Sequence, residues 1–124
     1  MEIVSTTEAP AAIGPYSQAI GSGELLITSG QLGIDPATGE LAEGLEAQAT
    51  LALQNLRAIL EEAGCTMSDV MKTTVFLTDM ADFPAANTVY EQAFGEHKPA
   101  RSCVAVAALP KGGIFEIECI AVRS

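Results

Sequence analysis

The sequence predicts an α+β fold in which one mixed β-sheet carries two helices on one face. Two segments place apolar residues at helical spacing, and several short segments are rich in β-branched residues. Their order along the chain is hairpin, helix, strand, helix, hairpin, which fits an α+β layer. We expect residues 1–124 to form one domain, because this length suits a single core.

Each predicted helix has an apolar stripe and a glycine at its end. The first spans about residues 45–63, and Gly64 is placed to end it in a left-handed conformation. The second spans about residues 83–94, with Asp82 as its cap and Gly95 after its last turn. The apolar stripes consist of Leu45, Ala49, Ala52, Leu53, Leu56, Leu60 and Ala63 in the first, and Phe83, Ala86, Tyr90, Ala93 and Phe94 in the second.

The predicted strands are short and rich in β-branched residues. They are predicted at residues 25–29, 70–78, 102–108 and 115–122, with an earlier one near 17–20. We expect a first hairpin across residues 21–23. The segment LPKGG (109–113) is short enough to join the last two strands as a second hairpin.

The predicted sheet is apolar on both sides, and this favours an oligomer. VMKTTVFLT and SCVAVAAL place apolar or small residues on both faces, and a two-sided apolar sheet must be covered twice. Two helices suffice for one face. Hydrophobic residues make up 48% and charged residues only 18% of the chain, so sister subunits are expected to cover the second face.

Composition also limits the partners and the location. A formal net charge of -10, with scattered basic residues, disfavours nucleic acid. No stretch approaches the ~18 apolar residues of a membrane span, and the N-terminus lacks signal-peptide features, so we expect a cytoplasmic protein with no membrane partner. The three cysteines and single histidine fit neither a disulfide framework nor a zinc site.

Two charged positions near the C-terminus are candidates for chemistry. Glu116 and Glu118 share one face of a strand, either as the solvated side of an edge strand or as a partly buried general base. Arg101 is either a plain strand-end charge or a fork for a substrate carboxylate. If the second hairpin forms, Arg101 and Glu116 lie on adjacent strands, but the register stays open.

Other polar positions carry similar alternatives. Tyr16 either anchors a loop or donates its phenol at a pocket rim, and Asn87 either bridges to a loop or lines a core position. Ser29 and Gly30 form either a simple turn or a hydroxyl and a bare backbone N–H close to a ligand. No GxSxG elbow, P-loop or GxGxxG is present. The only argument for a catalytic dyad of Cys103 and His97 is that they are close in the sequence.

Nearly the whole chain resembles the RidA (YjgF/UK114) family. The resembling stretches are AIGPYSQA (12–19), LLITSGQLGIDPATGEL (25–41), QNLRAILEEAG (54–64), residues 72–113 and FEIECIAV (115–122). Each is only suggestive alone. Together SGQ, GEL, KTTVFL, NTVYE, PARSCV, LPKG and EIE, in this order, are a specific match.

The resemblance implies a chorismate-mutase-like homotrimer, with the sheets packed in its centre and clefts between subunits. It implies cofactor- and metal-free hydrolysis of 2-aminoacrylate-type enamines, through their imines, to 2-keto acids and ammonia: a 2-iminobutanoate/2-iminopropanoate deaminase. On the matching motifs, the family's carboxylate-binding arginine falls on Arg101 and its water-activating glutamate on Glu116. The other carried-over positions are Tyr16, Ser29, Gly30, Asn87 and Cys103.

These residues suggest a catalytic mechanism and leave one competing class of function. Arg101 grips the carboxylate of an imino acid, and Glu116 orients the water that attacks the imine carbon. The alternative is a non-enzymatic module that binds small carboxylates for regulation or chaperoning. The deaminase and the binding module would have the same partners: an imino or keto acid, and further copies of this chain.

Overall fold

Seven strands and two helices make up a computed structural model that describes residues 1–123. The strands are β1 (Glu2–Val4), β2 (Ala19–Ser22), β3 (Leu25–Thr28), β4 (Gln31–Leu32), β5 (Val70–Leu77), β6 (Ala100–Ala105) and β7 (Phe115–Val122). The helices are α1 (Leu45–Glu62) and α2 (Phe83–Phe94). These bounds confirm both predicted helices to within one residue and the last predicted strand in full.

The strands form one mixed sheet in the order β1-β2-β3-β7-β5-β6, with β4 also paired to β7. β5 and β6 run parallel, and the other pairs are antiparallel. The hairpin between β2 and β3 turns tightly, because Ser22 pairs with Leu25, and Gly23 takes a positive φ of 60° in the turn. The first predicted hairpin is therefore confirmed, with β2 two residues later than expected.

The second predicted hairpin is wrong. β6 and β7 are not neighbours, because β5 lies between them and pairs with both. β7 is buried on alternate residues along its length and belongs in the middle of the sheet, whereas β6 is largely exposed and forms an edge. The segment containing LPKGG thus crosses over β5 instead of turning back.

Both helices pack on one face of the sheet, as predicted. Alternate residues of β7, among them Phe115 and Ile117, are fully buried beneath them. Asn55 of α1 is buried too, and its amide donates to the carbonyls of Leu32 (3.1 Å) and Ile34 (2.9 Å). These bonds tie α1 to β4 and to the residues after it.

The helix ends agree with the glycine predictions but not with the predicted cap of α2. Gly64 and Gly95 have positive φ values of 83° and 65°. Asp82 makes no side-chain capping bond. Asp82 is the last residue of a 3₁₀ turn (Met80–Asp82) and has a helical conformation, which a capping residue does not adopt. Asp79 caps this turn instead, and its carboxylate accepts a hydrogen bond from the Ala81 N–H.

The other face of the sheet is open and largely apolar. Ile27 and Val104 are 47% and 44% exposed there, and Phe76, Ile120 and Val122 share the face with them. Within residues 1–123, no helix has both the length and the apolar character to cross a bilayer.

Candidate functional site

The first group of predicted site residues surrounds Glu116 on the open face. Gly30 lies between β3 and β4, both of which pair with β7. A β-carbon built on Gly30 would lie only 2.5 Å from Glu116 Oε2 and 2.8 Å from Cδ. Glycine is therefore needed at position 30 because the glutamate side chain occupies the space of a β-carbon.

The carboxyl group of Glu116 is partly desolvated. Burial raises the pKa of Glu116 above its usual value, and the like charge of Glu118 on the same face raises it further. Glu116 is half-buried because β7 lies between β4 and β5, where Glu116 pairs with Leu32 on one side and Phe76 on the other. A carboxyl group of raised pKa suits proton transfer near neutral pH better than an ordinary one.

Ser29 and the loop that carries Tyr16 are anchored beside this group. Ser29 Oγ donates to the Ser17 carbonyl (2.6 Å). Buried Gln18 bridges the loop to the N-terminal segment, donating to the Pro10 carbonyl (2.8 Å) and accepting from the Thr6 N–H (2.7 Å). Tyr16 is 53% exposed.

The second group of predicted residues surrounds Arg101 on the helix side of β6. Arg101 Nη1 donates to Asn87 Oδ1 of α2 (2.7 Å). The guanidinium carbon lies 4.8 Å from the ring centroid of Tyr90 and 5.3 Å from that of Phe83. Arg101 and Asn87 line a cavity of about 320 Å³, whose wall also includes His97.

Cys103 follows Arg101 by two residues and therefore faces the same side of β6. Its side chain is half-buried. Burial raises the pKa of the Cys103 thiol, and the nearby Arg101 charge only partly opposes this. Cys103 is thus a neutral thiol at neutral pH. His97, the possible dyad partner of Cys103, is instead hydrogen-bonded to the Val70 carbonyl, which lies 2.7 Å from its Nε2.

The two groups lie on opposite faces of the sheet. Arg101 pairs with Thr73, which is buried on the helix side, whereas Glu116 pairs with Phe76 on the open side. Two strand spacings and three residues along the strand separate Arg101 from Glu116, or about 14 Å between backbone positions. A three- or four-carbon acid cannot touch both side chains of one chain. The expected adjacency of their strands is wrong because β5 lies between them.

Two buried residues near Arg101 were not singled out by the sequence. The hydroxyls of Thr73 and Tyr90 lie 2.8 Å apart and share a hydrogen bond. Tyr90 fitted the apolar stripe of α2, and Thr73 stands inside a β-branched run, so neither had a local signal of function. Within residues 1–123 no three His, Cys, Asp or Glu side chains cluster closely enough to hold a metal ion.

Comparisons with known proteins agree across nearly the full length of the chain. Residues 6–123 match the sequence model of a family described as Endoribonuclease L-PSP. The 2-iminobutanoate/2-iminopropanoate deaminase of Salmonella typhimurium is 53% identical, and the match covers 97% of this chain and 96% of that protein. The crystal structure of Escherichia coli TdcF with bound serine superposes with a TM-score of 0.97 at 49% identity and full coverage of both chains. RidA from an Antarctic Psychrobacter gives a TM-score of 0.96 at 49% identity, covering 98% of this chain and 99% of the other.

Proposed function

Because this chain belongs to the RidA (YjgF/UK114) family, whose sequence model is described as Endoribonuclease L-PSP, we propose that it is a 2-iminobutanoate/2-iminopropanoate deaminase. It hydrolyses reactive imines of small 2-keto acids to the keto acid and ammonia, with no metal or organic cofactor. The observation that carries the proposal is the pair of groups described above: a braced guanidinium beside a cavity, and a carboxyl group of raised pKa beside Gly30.

Arg101 binds the carboxylate of the imino acid. Asn87 occupies one terminal nitrogen of the guanidinium and fixes its plane, which leaves other N–H groups to donate to the two oxygens of a carboxylate. We propose backbone N–H groups near Gly30 or Cys103 as further donors to the substrate. Holding the carboxylate sets the position of the imine carbon, which is bonded directly to the carboxylate carbon.

Glu116 orients the attacking water and accepts its proton. The water oxygen bonds to the imine carbon while one water proton passes through Glu116 to the imine nitrogen, which gives a carbinolamine. The remaining hydroxyl proton then moves to the nitrogen, the C–N bond breaks, ammonia leaves and the carbonyl forms. A carboxyl group with a raised pKa can take up and return a proton with little energetic penalty. Ser29 is next to Gly30, and we assign the rim of the site to Ser29 and to Tyr16, whose loop is bonded to Ser29.

The working site is built from two copies of the chain. Arg101 and Glu116 lie on opposite faces about 14 Å apart, so the glutamate group of one subunit meets the arginine group of its neighbour. The open face, with Ile27 and Val104 exposed, supplies the surface that a homotrimer covers. Sedimentation equilibrium tests this: we expect a mass three times that of one chain, and a monomeric active protein would contradict it.

A coupled assay tests the activity. A PLP-dependent serine or threonine dehydratase releases the enamine, and keto-acid formation is followed with and without this protein. We expect acceleration that is lost in Arg101→Ala and Glu116→Gln, while circular dichroism and mass show that both variants remain folded and assembled. A folded, assembled wild type without acceleration would refute the deaminase and favour the binding module, which keto-acid titration by calorimetry would then detect.

The description of the family as an endoribonuclease raises one other candidate, which the charge disfavours. A net charge of -10 repels a phosphate backbone. The proposed partners are therefore a small imino or keto acid and a second copy of the chain. The cytoplasm is the proposed location, in keeping with three free cysteines.

A further inference from the structure

The aromatic ring beneath Arg101 is held in place by a buried hydrogen bond across two elements. Tyr90 projects from α2, and its hydroxyl reaches Thr73 of β5, 2.8 Å away. Thr73 is fully buried, so its hydroxyl depends on Tyr90 for a partner. The ring of Tyr90 is thereby fixed against the sheet at the strand position next to Arg101, since Thr73 and Arg101 pair in register.

The guanidinium is held from two directions. Its carbon lies 4.8 Å from the Tyr90 ring centroid, inside the range of a cation–π contact, with the Phe83 ring 5.3 Å away. Asn87 fixes the rotation of the guanidinium plane through a 2.7 Å hydrogen bond. Arg101 stands on an edge strand and is exposed, so without these contacts its long side chain would populate many rotamers.

From this geometry we infer that Tyr90, anchored by Thr73, is a positioning residue that holds the Arg101 guanidinium in its carboxylate-binding orientation through the face of its ring. The inference deepens the proposed function and rests on its assignment of Arg101 as the carboxylate-binding group. Tyr90 acts through the electron-rich ring face and not through its hydroxyl, which is engaged with Thr73. Burial raises the pKa of Tyr90, so its phenol stays neutral and the ring keeps its ordinary quadrupole.

A fluorination series separates the electrostatics of the ring from its shape. Tyr90→Phe is the parent, and position 90 is then filled in turn with 4-fluoro-, 3,5-difluoro- and 3,4,5-trifluorophenylalanine. Fluorine withdraws electron density from the ring face while changing its volume little. The dissociation constant of 2-oxobutanoate is measured by calorimetry for each assembled protein, together with KM and kcat in the coupled assay.

We expect the dissociation constant and KM to rise stepwise with fluorination, by about three- to thirtyfold over the series, with kcat changing less. Tyr90→Phe itself should bind 2-oxobutanoate more weakly than wild type and unfold more easily, because the ring loses its anchor to Thr73. The matched control is the same series at Phe115, a fully buried ring over which no guanidinium lies in the described part of the chain. It should leave 2-oxobutanoate binding unchanged.

The outcomes distinguish this inference from the proposed function. An active wild type whose affinity is flat across the series at position 90 would overturn the positioning role and leave the deaminase standing. A wild type that binds 2-oxobutanoate with the expected trend, but does not accelerate hydrolysis, would support the positioning role and refute the deaminase. A wild type that neither binds nor accelerates would overturn both.

Discussion

Replacing Gly30 by alanine places a β-carbon 2.5 Å from Oε2 of Glu116, where an ordinary contact begins near 3.4 Å. The carboxylate must therefore move by about 0.9 Å, because the backbone of Gly30 is held between β3 and β4, which both pair with β7, and is less free to shift. A displacement of about 1 Å from productive geometry lowers catalysis by about 100-fold. We expect kcat/KM of Gly30→Ala to fall about 30- to 100-fold in the coupled assay.

The substitution should leave the fold almost unchanged. Gly30 is not among the glycines with positive φ, so alanine is compatible with its backbone, and the half-buried Glu116 side chain can swing aside. We expect the free energy of unfolding to change by less than about 1 kcal/mol. Gly21→Ala is the matched control, because its new β-carbon meets only the flexible Arg123 and Glu2 side chains, and it should retain activity within about twofold.

A double-mutant cycle shows whether the loss passes through Glu116. Once Glu116→Gln has removed the carboxylate, adding Gly30→Ala should lower activity little further, because both changes disable the same group. If Gly30→Ala were folded, assembled and as active as wild type, the placement of Glu116 beside Gly30 in the working site would be refuted. A full additional loss in the double variant would show that alanine acts elsewhere.

Three further predictions follow from named contacts. Glu118→Gln removes the like charge that helps raise the pKa of Glu116, so the acid limb of the pH–rate profile should move to lower pH; no shift, or one to higher pH, would contradict this. Arg101→Lys keeps the charge but loses the planar fork, so the affinity for 2-oxobutanoate in calorimetry should fall about tenfold or more, and equal affinity would argue against two-point binding. Asn55→Ala removes a donor from the Ile34 carbonyl, whereas the Leu32 carbonyl keeps the Ile34 N–H, so the free energy of unfolding in urea should fall by about 1–3 kcal/mol. A loss below about 0.5 kcal/mol would show that another group satisfies the Ile34 carbonyl.

Much of the local structure is predictable because it depends on neighbours along the chain. The stripe of apolar residues in α1 and the strict alternation in β7 each follow from burying one side of a regular element, and both elements match the sequence prediction. β1 and β4, with three and two residues, are too short to show such a pattern. The anchoring pair of Thr73 and Tyr90 also escapes prediction, because 17 residues and a change of element separate them.

The order of strands in the sheet decides the architecture of the site, and no local pattern specifies it. LPKGG has the length of a hairpin loop, which predicts that β6 and β7 are neighbours. Alternate residues of β7 are buried, however, and this burial is greatest when β7 has a neighbouring strand on each side. β5 takes one of those places and pushes β6 to the edge. Arg101 pairs with Thr73 and Glu116 with Phe76, and because these two β5 residues are three positions apart, Arg101 faces the helix side and Glu116 the open side. Under the proposed function, a second chain must therefore bring its cation to the substrate beside Glu116, and the exposed apolar residues Ile27 and Val104 lie on the same face as that carboxylate.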